Sequence, residues 1–140
     1  MPRRFRWWAS AIVFLSVAGV LVAAPAGATD GDLVWARQLG GTGSDVGYGV
    51  VVDGSGNVYT TGYFSGTADF DPGVGTFDLT SVGSLDVFVS KLDAAGNLVW
   101  ARQLGGTGSD VGEGVVVDGS GNVYTTGYFS GTADFDPGVG

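Results

Sequence analysis

The sequence predicts an all-β protein of antiparallel strands, and three observations support this prediction. A segment of 43 residues occurs twice, at a spacing of 65 residues. A short motif, D-x-x-G-N, occurs three times between runs of apolar, β-branched residues. After residue 29, no stretch of ten residues shows the 3.6-residue spacing of an amphipathic helix. The first 28 residues differ from the rest, and there we expect an N-terminal signal helix.

Residues 1–28 have the order of charge and hydropathy of a secretory signal peptide. Three arginines lie within the first six residues, residues 7–24 are apolar, and the small residues Ala26-Gly27-Ala28 follow. We expect cleavage after Ala28 and export by the general secretory route. Residues 29–140 would then be a secreted or cell-surface repeat region without membrane contact. The competing interpretation is a retained anchor, because eighteen apolar residues reach the lower limit for spanning a bilayer.

The repeat region is strongly acidic and lacks two reactive residue types. After residue 28, three basic residues stand against 14 acidic ones, a net charge of −11. This charge disfavours nucleic acid or anionic lipid as a partner, because binding to either needs Lys and Arg. The chain has no His and no Cys. This composition excludes a Ser-His-Asp triad, a thiolate nucleophile, a disulfide framework and the usual zinc or haem sites.

The repeat divides the region into copies at 33–97 and 98–140, with a period of 65 residues. Residues 33–75 match residues 98–140 at every position except one, where Tyr48 is replaced by Glu113. A lone buried carboxylate is costly, so we expect this position to be at least partly exposed.

Each D-x-x-G-N motif predicts the turn of a β-hairpin. The Asp carboxylate accepts N–H groups of the turn, and the Gly adopts the left-handed conformation that closes it. The apolar runs on either side of each motif then predict the strands. We expect them at 33–39, 47–53, 57–64, 86–93, 97–104, 112–118 and 122–129.

One period therefore contains four antiparallel strands, which is the unit of a β-propeller blade. The chain holds one full blade, a leading strand and a trailing hairpin, whereas a ring closes with about four to eight blades. We expect an incomplete ring that is a fragment of a longer protein. Unpaired blade faces would then favour self-association.

The repeat also resembles a known family. The pieces G-x-G-x-D with V-V-V-D, then D-x-x-G-N-V-Y-x-T-G, then D-V-F-V-x-K-L-D, are similar to the bacterial SBBP-type β-propeller repeat, over essentially all of residues 32–140. The resemblance implies a secreted or surface-displayed propeller and brings no general catalytic residues.

The D-F-D-P-G loop is the candidate metal site. Two carboxylates on one side of a tight loop suit Ca²⁺, which prefers oxygen ligands. The alternative is an Asx-Pro turn, which explains Asp, Pro and Gly without a metal. The candidate calcium ligands are Asp69, Asp71 and Asp78 in the first copy, and Asp134 and Asp136 in the second.

Three further patterns have a functional and a structural interpretation. The Gly-rich segments 40–45 and 105–110 lack the Lys and the helix of a phosphate-binding loop, and predict flexible connections between blades. Paired carboxylates suit glycoside hydrolysis, although turn Asp is the simpler explanation. Aromatic residues suggest either a sugar-stacking platform or core between blades, and they are Trp35, Trp100, Tyr59, Tyr63, Phe64 and their repeat partners.

We expect a non-catalytic propeller module that binds an unknown protein or glycan ligand, without a cofactor other than the calcium considered above. The alternative is a lyase or hydrolase that acts on extracellular polysaccharide.

Overall fold

The structure is a computed structural model that describes residues 10–14, 22–23 and 31–136, with side chains described for the last range. It is built of β-strands, and the described residues contain no helix, including none long and apolar enough to cross a membrane. In chain order the strands are β1 (Ser10–Phe14), β2 (Val22–Ala23), β3 (Leu33–Gln38), β4 (Gly40–Gly41), β5 (Val46–Val52), β6 (Val58–Phe64), β7 (Thr67–Asp69), β8 (Asp78–Thr80), β9 (Asp86–Leu92), β10 (Leu98–Gly106), β11 (Val111–Val117), β12 (Val123–Tyr128) and β13 (Ala133–Asp134).

The first two strands lie within the predicted signal peptide and pair with β3, β1 in parallel and β2 antiparallel. The remaining residues of the segment 1–28, and with them most of the predicted signal helix, lie outside the described residues. The cleavage site after Ala28 also lies there. The signal peptide therefore stays a prediction.

A five-stranded antiparallel sheet forms the centre of the molecule, and four of its strands, in the order β5-β6-β9-β10, make up one blade, with the short β13 beside β10. Strands β5 and β6 form one hairpin and β9 and β10 form the other, while β6 and β9 pair along their whole length. This is the predicted blade, and its strand boundaries differ from the predicted ones by one or two residues. The all-β fold class is confirmed for the described residues, and the strands of the sheets within residues 31–136 pair antiparallel.

A small second sheet lies on the long connection between the two hairpins. It has the order β4-β7-β8, so that the insertion pairs with the end of the leading strand. The second copy repeats this arrangement, because β13 pairs with the last two residues of β10. The insertion of each blade thus ties that blade to the last strand of the preceding one.

Strands β11 and β12 form the first hairpin of the next blade, and β11 packs against β5 and β6 of the first blade. Thr61 Oγ1 on β6 donates to Phe88 O at 2.8 Å and lies 3.3 Å from Thr125 Oγ1 on β12. Connections between the blades add backbone contacts: the N–H of Asp110 donates to Leu85 O at 2.9 Å, and that of Ser84 to Gly108 O at 3.0 Å.

The apolar core lies within and beside the complete blade. All but one residue of each of the strands β6 and β9 is buried, as expected for central strands of a sheet that is covered on both faces. Two clusters of buried side chains make up this core: Leu39, Phe64, Ala68, Phe70, Phe88 and Ala101 in one, and Trp35, Val58 and Leu92 in the other.

The position that differs between the copies lies at a β-bulge. The pairing of β5 with β6 shifts between Gly47 and Gly49, which leaves Tyr48 without a partner in the ladder, and Glu113 has the same place in the second hairpin. Tyr48 is 58% exposed and Glu113 is also exposed. The prediction that this position is at least partly exposed is confirmed.

Candidate interaction surface

The three D-x-x-G-N turns have the geometry predicted from their residue types. In the first, Asp53 Oδ1 accepts the N–H groups of Ser55 at 2.8 Å and Asn57 at 3.0 Å, and Asp53 Oδ2 accepts from Asn57 Nδ2 at 2.8 Å. Gly56 has a φ of 84°, a left-handed conformation that favours glycine. The turns at 93–97 and 118–122 repeat these bonds.

These hydrogen bonds stabilise the ionised carboxylates. The side-chain amide of Asn57, with the N–H groups of the turn, lowers the pKa of Asp53 from its ordinary value of 3.8 to about 2. The N–H of Asn97 and the side chain of Asn122 likewise lower the pKa values of Asp93 and Asp118. The turn Asp residues are therefore structural groups, which hold the hairpins of both blades closed.

The candidate calcium ligands lie on the insertion of each blade. Asp69 Oδ1 accepts the N–H groups of Asp71 and Phe77, both at 2.8 Å, and Asp71 Oδ1 accepts that of Gly73 at 2.8 Å. Asp78 is the partner of Asp69 across the β7–β8 ladder.

In the second copy, Asp134 Oδ1 accepts the N–H of Asp136 at 2.8 Å. The Oδ1 atoms of Asp69, Asp71 and Asp134 therefore have a role in turn formation that needs no metal ion. Among the described residues no three acidic side chains form a group that could hold a metal ion. Calcium binding at these loops stays a prediction.

The Gly-rich segments contain buried carboxylates that sequence reasoning missed. Asp45 and Asp110 are buried, and the Oδ2 of each accepts an N–H four residues earlier, from Gly41 at 2.7 Å and from Gly106 at 2.8 Å. These connections are therefore fastened by an internal acceptor, contrary to the flexible connection predicted. The repeated G-x-x-x-D spacing is the signal that could have revealed this bond.

A second buried carboxylate meets Asp110 at the contact between the blades. Asp86 accepts the N–H groups of Val82 and Gly83 and is 2.6 Å from Gln103 Nε2. A Cβ on Gly105, whose φ is 154°, would lie 2.8 Å from Asp110 Oδ2 and 2.8 Å from Asp86 Cγ. Only glycine leaves room here for two carboxylates, so this residue lets the connections of the two blades meet.

The aromatic residues of the first copy are mainly core. Trp35, Tyr59 and Phe64 are between 0% and 4% exposed, so their rings are not available as a sugar-stacking platform. Tyr63 and Trp100 are partly buried. The interpretation as core is confirmed for the three buried residues.

The same aromatic residues are exposed in the second copy. Phe64 and Phe70 are fully buried, whereas their counterparts Phe129 and Phe135 are 53% and 57% exposed. Phe129 and Phe135 nevertheless form the same edge-on ring contact, with centroids 5.0 Å apart against 5.5 Å in the first copy. With Leu104 and Val87 they line a groove of about 320 Å³ beside β12. The described residues place no strand on this side of β12.

A pair of side chains on the last strand of each unit forms a second repeated feature. Trp35 Nε1 donates to Ala94 O at 3.0 Å, and Arg37 donates from Nε to Gly96 O and from Nη2 to Ala95 O, both at 3.0 Å. The leading strand β3 thus binds the D-x-x-G-N turn between β9 and β10 through hydrogen bonds to the carbonyl groups of that turn. The acceptors of these hydrogen bonds are backbone carbonyl groups, which every residue carries. The sequence spacing therefore gave no sign of the indole and guanidinium contacts.

The counterparts of this pair keep a similar ring contact but have no such acceptor among the described residues. Arg102 lies over the Trp100 ring at 6.0 Å, compared with 5.7 Å for Arg37 over Trp35. Within residues 31–136, Trp100 Nε1 and the Nε and Nη2 of Arg102 donate no hydrogen bond. Trp100 and Arg102 lie on β10, the strand that also supplies Leu104 to the groove beside β12. We call these two residues and the groove together the open face.

Comparisons with known proteins agree with this architecture. The sequence profile of the family described as SBBP, β-propeller repeat, matches residues 34–70 and 99–135, more than half of the chain. The chain is also similar to an uncharacterized WD repeat-containing protein, L264, of Acanthamoeba polyphaga mimivirus, with 30% identity over 103 residues. That match covers 71% of this chain but only 7% of the viral protein. No solved structure matches the chain significantly.

Both matched segments contain the first hairpin of a blade and the start of its insertion, which are parts that the sequence repeats almost without change. The resemblance noted from the motifs is therefore confirmed, and the chain belongs to the SBBP β-propeller repeat family.

Proposed function

We propose that this chain is a non-catalytic β-propeller module that is exported and binds a protein or glycan at the cell surface or in the surrounding medium. The observation that carries the proposal is the open face: beside a complete blade, the second copy presents the exposed rings of Phe129 and Phe135, and Trp100 and Arg102 have donors without an acceptor among the described residues. Large exposed apolar patches on proteins commonly mark interaction sites. The name of the viral relative, a WD repeat-containing protein, is consistent with a repeat scaffold of this kind.

The acidic residues support a role without catalysis. Most carboxylates of the described residues accept N–H groups within their own turn or connection, as in the three D-x-x-G-N turns. The buried carboxylates, Asp45, Asp86 and Asp110, lie at contacts between strands and blades, and each accepts backbone N–H groups there. These hydrogen bonds give the Asp residues structural roles. They single out no pair of carboxylates as the catalytic pair that the polysaccharide-degrading alternative requires.

Three measurements test this proposal. Fusion of residues 1–28 to a reporter enzyme that is active only after export should give activity, and cytoplasmic retention would contradict the export part. Incubation of the full chain with extracellular polysaccharides should release no new reducing ends or unsaturated products.

A glycan array and an extracellular protein panel, probed with the full chain, should give binding that is lost in the variant Phe129→Ser, Phe135→Ser. Tyr48→Ser, which removes an exposed aromatic residue from the first blade, is the matched control. Binding that survives the double change would contradict the role of the open face.

A further inference from the structure

The bulge of β11 lies against the first hairpin of the first blade. A Cβ on Gly49 would be 3.1 Å from the Cα of Gly114, and a Cβ on Gly112 would be 3.3 Å from Gly62 O. Gly112 and Gly114 are the two neighbours of Glu113 in the chain. The backbone on both sides of Glu113 is therefore held close to β5 and β6.

Two tyrosines of the first blade adjoin these contacts. Gly49 follows Tyr48 in the chain, and Gly62 precedes Tyr63. The rings of Tyr48 and Tyr63 are in contact, with centroids 5.9 Å apart and planes inclined by 55°. Tyr48 is 58% exposed, Tyr63 is partly buried, and Glu113 is exposed. The packing of β11 thus places an accessible carboxylate beside a pair of accessible aromatic rings.

This combination depends on the one position at which the two copies differ. Tyr48 and Glu113 occupy equivalent places at the bulges of β5 and β11, so an exact repeat would put a second ring where the carboxylate lies. The face of an aromatic ring attracts positive charge, and a carboxylate does the same. Together they favour a cation as the ligand.

The basic side chains of residues 31–136 lie over other rings. Their distances to the ring centroids are 5.0–6.0 Å, in the pairs Arg37–Trp35, Lys91–Tyr59 and Arg102–Trp100. After residue 28 the chain has three basic and 14 acidic residues, and this excess of negative charge attracts cations to the surface. The ring pair beside Glu113 is therefore suited to a cation that comes from outside residues 31–136.

We propose that Tyr48, Tyr63 and Glu113 form a binding site for a quaternary ammonium group such as that of choline. The methylated nitrogen lies against the two rings, and the carboxylate of Glu113 is paired with its charge. A quaternary group suits this exposed position because it has no N–H groups to withdraw from water, whereas a primary ammonium is strongly hydrated. The site uses other residues than the open face, so the inference goes beyond the proposed function.

Choline and two related compounds test the roles of the charge and of the methyl groups. The alcohol in which a carbon atom replaces the nitrogen of choline has the shape without the charge, and ethanolamine has the charge without the methyl groups. Each is titrated into the full chain at constant ionic strength, and the NMR signals of the Tyr48 and Tyr63 rings are followed. We expect saturable binding of choline with a dissociation constant of about 1–10 mM, and binding at least about fivefold weaker for both other compounds.

Variants of the chain locate the site. Tyr48→Ser and Glu113→Gln should each weaken choline binding at least about threefold, while circular dichroism reports the fold. Asp78→Asn removes the same charge at an exposed carboxylate of the insertion and should leave the affinity within about 1.5-fold, because salt screens distant charges. Equal losses in Glu113→Gln and Asp78→Asn would show that net charge alone attracts choline and would overturn the site.

The remaining outcomes are equally decisive. Absence of choline binding, or equal binding of the neutral alcohol or of ethanolamine, would overturn the inference. Tyr48→Ser should lose choline binding and keep the binding at the open face, so this one variant separates the two sites. Glycan or protein binding without choline binding would contradict this inference alone, whereas polysaccharide turnover or cytoplasmic retention would contradict the proposed function and leave the choline titration unchanged.

Discussion

At the scale of single residues, aspartate does the structural work that disulfides or a large core do in other small β domains. The repeat region contains thirteen Asp and one Glu. Asp has a side chain short enough to accept N–H groups two to four residues along the chain, as Asp53 does in its turn. Because these hydrogen bonds are made to the ionised carboxylates, the stability of the fold should depend on the ionisation of the turn Asp residues. This dependence can be measured as a change of the free energy of unfolding with pH.

Acid should weaken the hairpins through Asp53. Its pKa is lowered from 3.8 to about 2 in the folded chain, so its contribution to stability is complete above 3.8 and is lost as the pH falls from 3.8 through about 2. Asp53→Asn should therefore flatten the decline of the free energy of unfolding in this pH window, measured by denaturant titration at each pH. Asp78→Asn, at an exposed carboxylate, is the control for loss of one negative charge. A slope in the Asp53 variant equal to that of the wild type would contradict the prediction.

The buried carboxylate Asp86 should stabilise the contact between blades. Asp86→Ala leaves the N–H groups of Val82 and Gly83 and the amide of Gln103 without their acceptor, at a cost of about 1–3 kcal/mol for an unsatisfied buried group. Thermal and urea unfolding measure the change, with Asp78→Ala as the exposed control. A more stable variant would show that repulsion between Asp86 and Asp110 outweighs these hydrogen bonds.

At the scale of elements, the repeat unit is a blade whose parts are fastened to the blade before it. The insertion pairs with the preceding last strand, as β7 does with β4, and that strand holds the turn of the following blade. Near-identical segments therefore lie in two environments, one with these contacts made and one without. Identical substitutions in the two copies measure the value of the contacts directly.

Arg37→Ala should destabilise the chain more than Arg102→Ala. Arg37 donates two hydrogen bonds to the turn between β9 and β10, which connect a charged donor to backbone acceptors, and their loss should cost about 1–3 kcal/mol. Arg102 donates to no such turn within the described residues, so its replacement should change stability by less than about 0.5 kcal/mol. Paired urea titrations compare the two variants. Equal losses would contradict the turn-binding role of Arg37.

At the scale of the whole molecule, the described residues contain a complete first blade and the first hairpin of a second blade, which share one sequence pattern. The first blade encloses its aromatic core between two hairpins, and the second presents the equivalent residues at the surface. An exposed patch of this type favours association, and the self-association expected from the sequence stays a prediction. Stability should therefore be concentrated in the first blade.

Phe64→Ala should cost about 3–5 kcal/mol, because it empties a fully buried position against Phe70. Phe129→Ala, the same change at a ring that is 53% exposed, should cost less than about 1 kcal/mol. Calorimetric melting of the two variants measures the difference, and sedimentation velocity shows whether the Phe129 change also reduces self-association. Similar losses in both variants would show that the second hairpin is covered in solution.

Much of the fold followed from local chemistry. The D-x-x-G-N turns form within five residues, so their Asp and Gly specify the hairpins without help from distant parts of the chain, and the two hairpins per period predicted the four-stranded blade. The exposure of the Tyr48/Glu113 position was also predicted correctly. A position that accepts both an aromatic ring and a carboxylate must be at least partly exposed, because a lone buried carboxylate is costly. The signal peptide and calcium binding remain predictions made from the sequence.

Tertiary structure alone decided which equivalent residues are buried and which are open. Sequence reasoning treated Phe64 and Phe129 alike, since identical neighbours give identical local preferences, but their exposure depends on whether β9 packs against them. The hold of Trp35 and Arg37 on a turn 59 residues away, and the meeting of Asp86 and Asp110 around Gly105, likewise arise only when blades pack. The repeat unit is thus determined by short-range hydrogen bonding, and the open face by long-range packing, which no local pattern encodes.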